Sequence, residues 1–190
     1  MEILKELLPG CFLLKGERFE DERGDFFKLF HAPTFADHGL ETGFVESYIT
    51  TSNKGVVRGM HFQAPPSDHA KLVCCLSGRV RDGLVDLRRG SLTFKKSCSL
   101  ILSGEQAEVL YVPRGVAHGF AAYEDNSRMC YMVSSIHDPA ADSGVLWDSV
   151  GIDWWEGNTK LKFAPIVSWR DRQFPKLSEF ESPFVSGADL

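Results

Sequence analysis

Between Gly55 and Lys71 the sequence GVVRGMHFQAPPSDHAK sets an arginine, a histidine and a lysine around a short apolar run. Val56, Val57, Met60 and Phe62 have the bulk and branching of a half-buried strand, whereas Ala64-Pro65-Pro66-Ser67-Asp68 cannot continue a ladder. The stretch therefore predicts a strand carrying Arg58 and His61 near its end, a loop, and a second strand opened by Lys71. A further histidine, His118, closes PRGVAH at 113–118, and Tyr131 sits in RMCYMVSS with its ring on the face of Met129 and Val133. A buried imidazole of near-neutral pKa is a general base, and it needs a carboxylate to fix its tautomer and hold the imidazolium that forms. A lysine or second imidazole at the same point stabilises an enolate, and a tyrosine on the far side returns the proton. These parts describe proton abstraction next to a carbonyl. Taken alone, Tyr131 also reads as a core aromatic with a bonded hydroxyl.

The elements that must position these groups are mostly strands. Gly10–Lys15 forms a short opening strand after Pro9, Asp21-Glu22-Arg23-Gly24 is a turn signal ahead of Phe26, Phe27, Leu29 and Phe30, and residues 31–39 predict a short helix begun by Pro33 and ended by Gly39. Strands follow at 43–52, 71–76, 79–87, 94–102, 108–113, 119–123 and 128–135, with Ser77-Gly78 as a hairpin signal between the second and third. Strands this short and close, with almost no helical periodicity between them, predict an all-β sandwich or barrel. Simple alternation puts Arg58 and His61 on opposite faces, so their strand must bulge or end near Gly59. Past Pro139 the pattern weakens into a Trp- and Gly-rich segment, 144–155, and a tail through Pro165, Pro175 and Pro183 that reads as a wrapped arm.

At 190 residues and 43% apolar composition, the chain predicts one domain over 1–190, with a core at about 43–135 and extensions packed on it. A net charge of −5 without a basic block argues against nucleic acid or anionic membranes as partners. The N-terminal MEILKELLPGCFLL carries Glu2, Lys5 and Glu6 inside its apolar run, unlike a signal peptide, and no stretch approaches a membrane span. Five cysteines without CxxC spacing read as free thiols in a reducing cytoplasm.

Gly55 followed by His61, and Pro113 to His118 in the form PxGxxH, resemble fragments of the two motifs of the cupin barrel, a double-sheet jelly roll. In metal-binding cupins the first motif continues HxH. Gln63 stands at that second position here, so the ligand set is incomplete, although His61 and His118 with Asp68 or Asp86 remain an alternative site for a divalent ion. A sugar or nucleotide binding module on the same fold is a further alternative.

Longer blocks narrow the resemblance. DERGDFF at 21–27, GVVRGMHFQ at 55–63, HAKLV at 69–73, VDLRRGSLTF at 85–94, YVPRGVAHGF at 111–120, CYM at 130–132, GVLWD at 144–148 and SWRD at 168–171 are similar, in this order, to the dTDP-4-dehydrorhamnose 3,5-epimerase family. The resemblance implies a cupin-type jelly roll with short flanking helices and a C-terminal arm, acting without cofactor or metal as a cytoplasmic homodimer on a nucleotide-diphosphate sugar. It implies that His61 is the base, Asp171 its orienting carboxylate, Tyr131 the acid on the opposite face, and Lys71 with His118 the enolate stabilisers. Arg58 and, from a second subunit, Arg23 would meet the diphosphate. Phe26, Gln63 and Arg170 fall in the same binding blocks. The chain departs from the family at Lys28, where a glutamate is usual, at Glu46, Tyr48 and Thr50, where Gln, Asn and Ser are usual, at His69 for a glutamine, and at Ile136-His137 for paired tyrosines. In the family most of these positions are associated with nucleotide or sugar contacts; they are altered while the catalytic set is kept, and swaps of this kind can redirect substrate choice.

Overall fold

The computed structural model describes residues 1–155 and 164–187. Two six-stranded sheets face each other. The first runs β1 (Glu2–Leu8), β2 (Cys11–Lys15), β10 (Glu108–Val112), β7 (Lys71–Ser77), β12 (Ser127–Val133) and β5 (Glu46–Ser52) in spatial order. The second runs β13 (Asp142–Gly144), β6 (Val56–Gln63), β11 (Val116–Ala122), β8 (Arg79–Asp86) and β9 (Ser97–Ser103). β14 (Ile166–Val167) joins β6 in parallel, and β3 (Glu17–Asp21) with β4 (Gly24–Lys28) forms a separate hairpin. This is the expected all-β jelly roll of the cupin type.

Inward residues of both sheets, among them Val73, Val80, Leu84, Leu110, Val112, Phe120 and Met129, form one buried cluster, and each such side chain contributes about 1.5–3 kcal/mol by leaving water. The outer face of β6 and β11 is covered by the arm, with Val57, Met60, Phe62, Ala117 and Ala121 against Trp154, Leu177 and Phe184. The tail therefore wraps as expected, and Val185 bridges Arg89. The helix α1 (Ala32–Asp37) has Pro33 in its first turn, and Gly39 at φ +68° caps its end through Gly39 N–H to Ala36 O, 2.9 Å.

Three expectations need correction. Ser77-Gly78 is no hairpin: β7 pairs with β10 and β12, and β8 with β11 and β9, so the turn carries the chain from one sheet to the other. Gly78 at φ +76° allows this corner, and an added Cβ would stand 2.6 Å from Ser127 Oγ. The strand expected from Phe94 starts at Ser97, because Lys95 at φ 58° breaks the extended run and its N–H returns to Asp86 O. Residues Glu2–Leu8, unassigned to any strand from sequence, form β1 as an edge strand on β2.

Candidate active site

Arg58 and His61 reach the same side of β6 through a bulge. His118 of β11 pairs with His61 and Phe120 pairs with Arg58, so one residue of β11, Gly119, opposes two of β6, Gly59 and Met60. Gly59 adopts φ +136°, and a Cβ there would stand 2.5 Å from Gly119 Cα. The extra residue returns Arg58 to the interior face, while Met60 joins the outer core. Arg58 then crosses to the edge strand β5, with Nε donating to Ser52 Oγ at 3.1 Å and Nη2 to Thr51 O at 3.3 Å.

The arm delivers the carboxylate. Parallel pairing of β14 with β6 brings the following turn under the bulge, where buried Asp171 accepts the Gly59 N–H at 3.2 Å and sets Oδ1 3.0 Å from His61 Nε2. The contact is close, but among the described residues His61 Nε2 does not reach hydrogen-bond geometry with that oxygen. Burial pushes His61 below its ordinary range, against the pull of Asp171. Burial would raise Asp171, but His61, the Gly59 N–H and the Ser168 hydroxyl outweigh it and hold the acid at about 2. The pair therefore rests as neutral imidazole and carboxylate, ready to accept a proton.

A second imidazole–carboxylate pair lies beside the first. His118 Nε2 is 2.8 Å from Asp82 Oδ2, both groups buried, and among the described residues Asp82 Oδ1 has no hydrogen-bond partner. Burial raises the Asp82 acid, and His118 pulls it back. Sequence reading missed Asp82 and weighed Asp86, which instead binds Arg88, Ser91 and Thr93 as a structural carboxylate. The signal was present: in RVRDGLVD, Asp82 alternates with Val80 and Leu84 on the apolar face of β8. Lys71 is also buried, its Nζ donating to His61 O at 3.0 Å, and burial lowers it to about 8. Tyr131 stands edge-on to His118, ring centroids 5.9 Å apart at 70°. Burial and then Asp82 raise its phenol well above the ordinary value, so it is a proton donor at neutral pH. Thus His61, Asp171, Lys71, His118 and Tyr131 are brought together.

The remaining expected residues divide. Glu46, Tyr48, Gln63, His69, Val133 and His137 line a cavity of about 240 Å³ at this mouth. Gln63 is already engaged, Nε2 donating to Ser67 O at 2.7 Å and Oε1 accepting the Asp138 N–H at 2.7 Å, so its amide ties two loops together. Glu46 Oε2 accepts the His137 N–H at 2.8 Å. Arg170 pairs with Asp142 and lies 3.5 Å from Asp171, its guanidinium over Phe174. Arg23 and Phe26 are not brought to this mouth; they sit on the exposed β3–β4 hairpin, where Arg23 pairs with Asp21. A larger cleft, about 770 Å³, is lined by Glu41, Arg88, Arg114 and the arm, but its arginines already pair with Asp86 and Glu41. Among the described residues no three His, Cys, Asp or Glu side chains are grouped to hold a metal, and no helix is long and apolar enough to cross a membrane.

Two carboxylate-backed imidazoles converging on one barrel mouth define a cupin built for proton transfer. The sequence profile of dTDP-4-dehydrorhamnose 3,5-epimerase matches residues 5–179. The chain is 35% identical over 178 residues to the dTDP-4-dehydrorhamnose 3,5-epimerase of Methanothermobacter thermautotrophicus, covering 93% of this chain and 94% of that one. It is 34% identical to the dTDP-4-dehydrorhamnose 3-epimerase of Streptomyces niveus, over 90% and 82% of the two chains. The dTDP-6-deoxy-D-glucose-3,5-epimerase of Legionella pneumophila, solved in complex with dTDP-4-keto-L-rhamnose, superposes with a TM-score of 0.88 at 28% identity, covering 96% and 97%. The chain belongs to the dTDP-4-dehydrorhamnose 3,5-epimerase family and is an epimerase of the isomerase class.

Proposed function

We propose that this epimerase inverts C3, C5 or both in a nucleotide-diphosphate-linked 4-keto-6-deoxy hexose. His61 removes the proton beside the ketone while Asp171 holds the imidazolium. Lys71 and His118 stabilise the enolate oxygen at C4, and Tyr131 protonates the opposite face. Arg58 meets the diphosphate. The observation that carries the reading is geometric: His61 Nε2 lies 3.0 Å from Asp171 Oδ1 in the same mouth as Lys71, whose Nζ reaches His61 O, and as Tyr131, whose ring meets His118 edge-on. The ketone itself acidifies the α-proton, so electrostatics and positioning supply the catalysis and the residues require no cofactor.

The relatives' names support thymidine as the first nucleotide to test. A homodimer is part of the proposal: Phe19 and Phe26 stand 63% and 57% exposed beside Arg23 on the β3–β4 hairpin, an apolar and cationic surface suited to a second copy's site. Five free thiols suit a reducing cytoplasm. The test incubates the protein with dTDP-, CDP-, UDP- and GDP-linked 4-keto-6-deoxy hexoses in deuterated water and locates deuterium at C3 and C5 by NMR. Exchange with at least one is expected, abolished in His61→Ala, while Tyr131→Phe keeps exchange and loses inversion. Absence of exchange with all four sugars would sink the assignment.

A further inference from the structure

Tyr131 is not held by its own strand alone. On β5 its cross-strand partner is Tyr48, and the two rings stack with centroids 4.8 Å apart and planes within 16°. On its other flank His118 meets it edge-on at 5.9 Å. The Tyr131 ring is thus clamped between a stacked phenol and an imidazole that is itself fixed by Asp82. Tyr48 is 41% exposed on an edge strand, so core packing does not account for a large aromatic here. Its ring covers Tyr131, which is only 6% exposed.

We infer that Tyr48 is a positioning residue for proton delivery: its ring, stacked on Tyr131, fixes the angle at which the Tyr131 hydroxyl meets the second face of the enolate. The inference rests on the proposed epimerase chemistry and adds a residue to it. Stacked aromatic pairs are worth about 0.5–1.5 kcal/mol beyond their buried area, so the Tyr48 ring opposes a swing of the whole Tyr131 side chain that would carry its hydroxyl out of line. Removing the partner ring frees Tyr131 on one side only, and leaves His61, Asp171 and Lys71 untouched. Proton abstraction then continues, but a carbanion that meets a misaligned donor more often takes back a solvent-derived proton from the His61 side. The product of that event carries deuterium with its original configuration.

The readout is the ratio of inversion to solvent exchange, measured by NMR in deuterated water with a dTDP-linked 4-keto-6-deoxy hexose. For Tyr48→Asn the ratio should fall roughly fivefold, the loss expected when one aromatic pair is forfeited. Tyr48→Phe, which keeps the ring and removes the hydroxyl, should hold the wild-type ratio whatever it does to turnover. Thermal melts of both variants separate the effect from unfolding, since a structural lesion lowers exchange and inversion together. An unchanged ratio in Tyr48→Asn, or a ratio in Tyr48→Phe as low as in Tyr48→Asn, would overturn the inference while leaving the epimerase reading intact. A wild-type protein that neither exchanges nor inverts any sugar of the panel would overturn both.

Discussion

Gly59 and Gly119 press backbone against backbone where β6 crosses β11. A Cβ on Gly119 would stand 2.8 Å from both Arg58 O and Met60 Sδ, so the bulge that turns Arg58 inward exists only because neither residue carries a side chain. Gly119→Ala should destabilise the fold by about 1–3 kcal/mol through overpacking. It should also lower turnover beyond what the residual folded fraction explains, because His61 and Arg58 lose their common face. Urea unfolding beside initial rates at a temperature well below the melt checks both. Full turnover per folded molecule would show that the bulge does not set the site.

The pH profile should be a bell with an unusually early alkaline limb. Burial lowers His61, so the base is free once the pH exceeds a value below the ordinary 6.5, and kcat/KM rises through that point. Lys71 loses its charge as the pH passes about 8 instead of 10.5, and the rate should fall there as the enolate loses its cation. Stability runs the other way. Between about 8 and 10.5 the unfolded chain holds the Lys71 proton and the folded chain does not, so stability rises with pH across the window in which activity falls. At the acid end the Asp171 carboxylate, at about 2 folded against 3.8 ordinarily, contributes stability above 3.8 that is lost as the pH falls through 2. Lys71→Gln should lower kcat by about 10²-fold or more and abolish the alkaline limb. An alkaline limb that survives this substitution assigns it to another group.

Asp82 and Asp86 occupy the same face of β8 four residues apart, yet they should fail differently. Asp86 accepts from Arg88, Ser91 and Thr93, holding the turn after β8, and these partners keep it below its ordinary range despite burial. Asp86→Ala should cost about 2–4 kcal/mol of stability by leaving several half-buried donors, the Arg88 guanidinium among them, without their acceptor. Asp82→Asn keeps the shape and removes the charge behind His118, so it should lower kcat by about 10-fold or more with a smaller change in the melt. Melting temperatures and kcat for the two variants test the division. An Asp82→Asn enzyme at full kcat would make the second pair structural.

The strands and the jelly roll were legible because short β-branched runs between Gly and Pro signals leave few alternatives, and β6, β7 and β10 lie within a residue or two of expectation. The Ser77-Gly78 turn misled because a tight glycine turn has the same local sequence whether the chain returns to its own sheet or crosses to the next; partner strands distant in sequence decide. Asp82 was legible by alternation alone but was passed over for Asp86, since a two-residue period cannot say which of two inward acids meets an imidazole. Nothing local joins His61 to Asp171 across 110 residues. That pairing came from the family blocks, and its geometry depends on β14 lying parallel to β6. The Tyr48 stack required the register of β5 on β12, which no single-chain pattern supplies.

If Arg23 serves the site of a second copy, two inactive variants should rescue each other. Arg23 is 85% exposed in its side chain and bound to Asp21 within its own hairpin, far from any role in its own barrel mouth. Arg23→Ala should therefore weaken substrate binding and His61→Ala should abolish chemistry, each without loss of fold. In a mixed dimer one site combines His61→Ala with the partner's Arg23→Ala, while the other combines an intact His61 with an intact Arg23 from across the interface. Unfolding and refolding an equimolar mixture gives mixed dimers as about half of the population, and one site in each is whole, so about a quarter of wild-type activity should return. Activity is read at a substrate concentration low enough that Arg23→Ala alone turns over poorly. If mixing returns no more than the sum of the separate variants, each chain uses its own Arg23 or none, and the hairpin does not complete a neighbouring site.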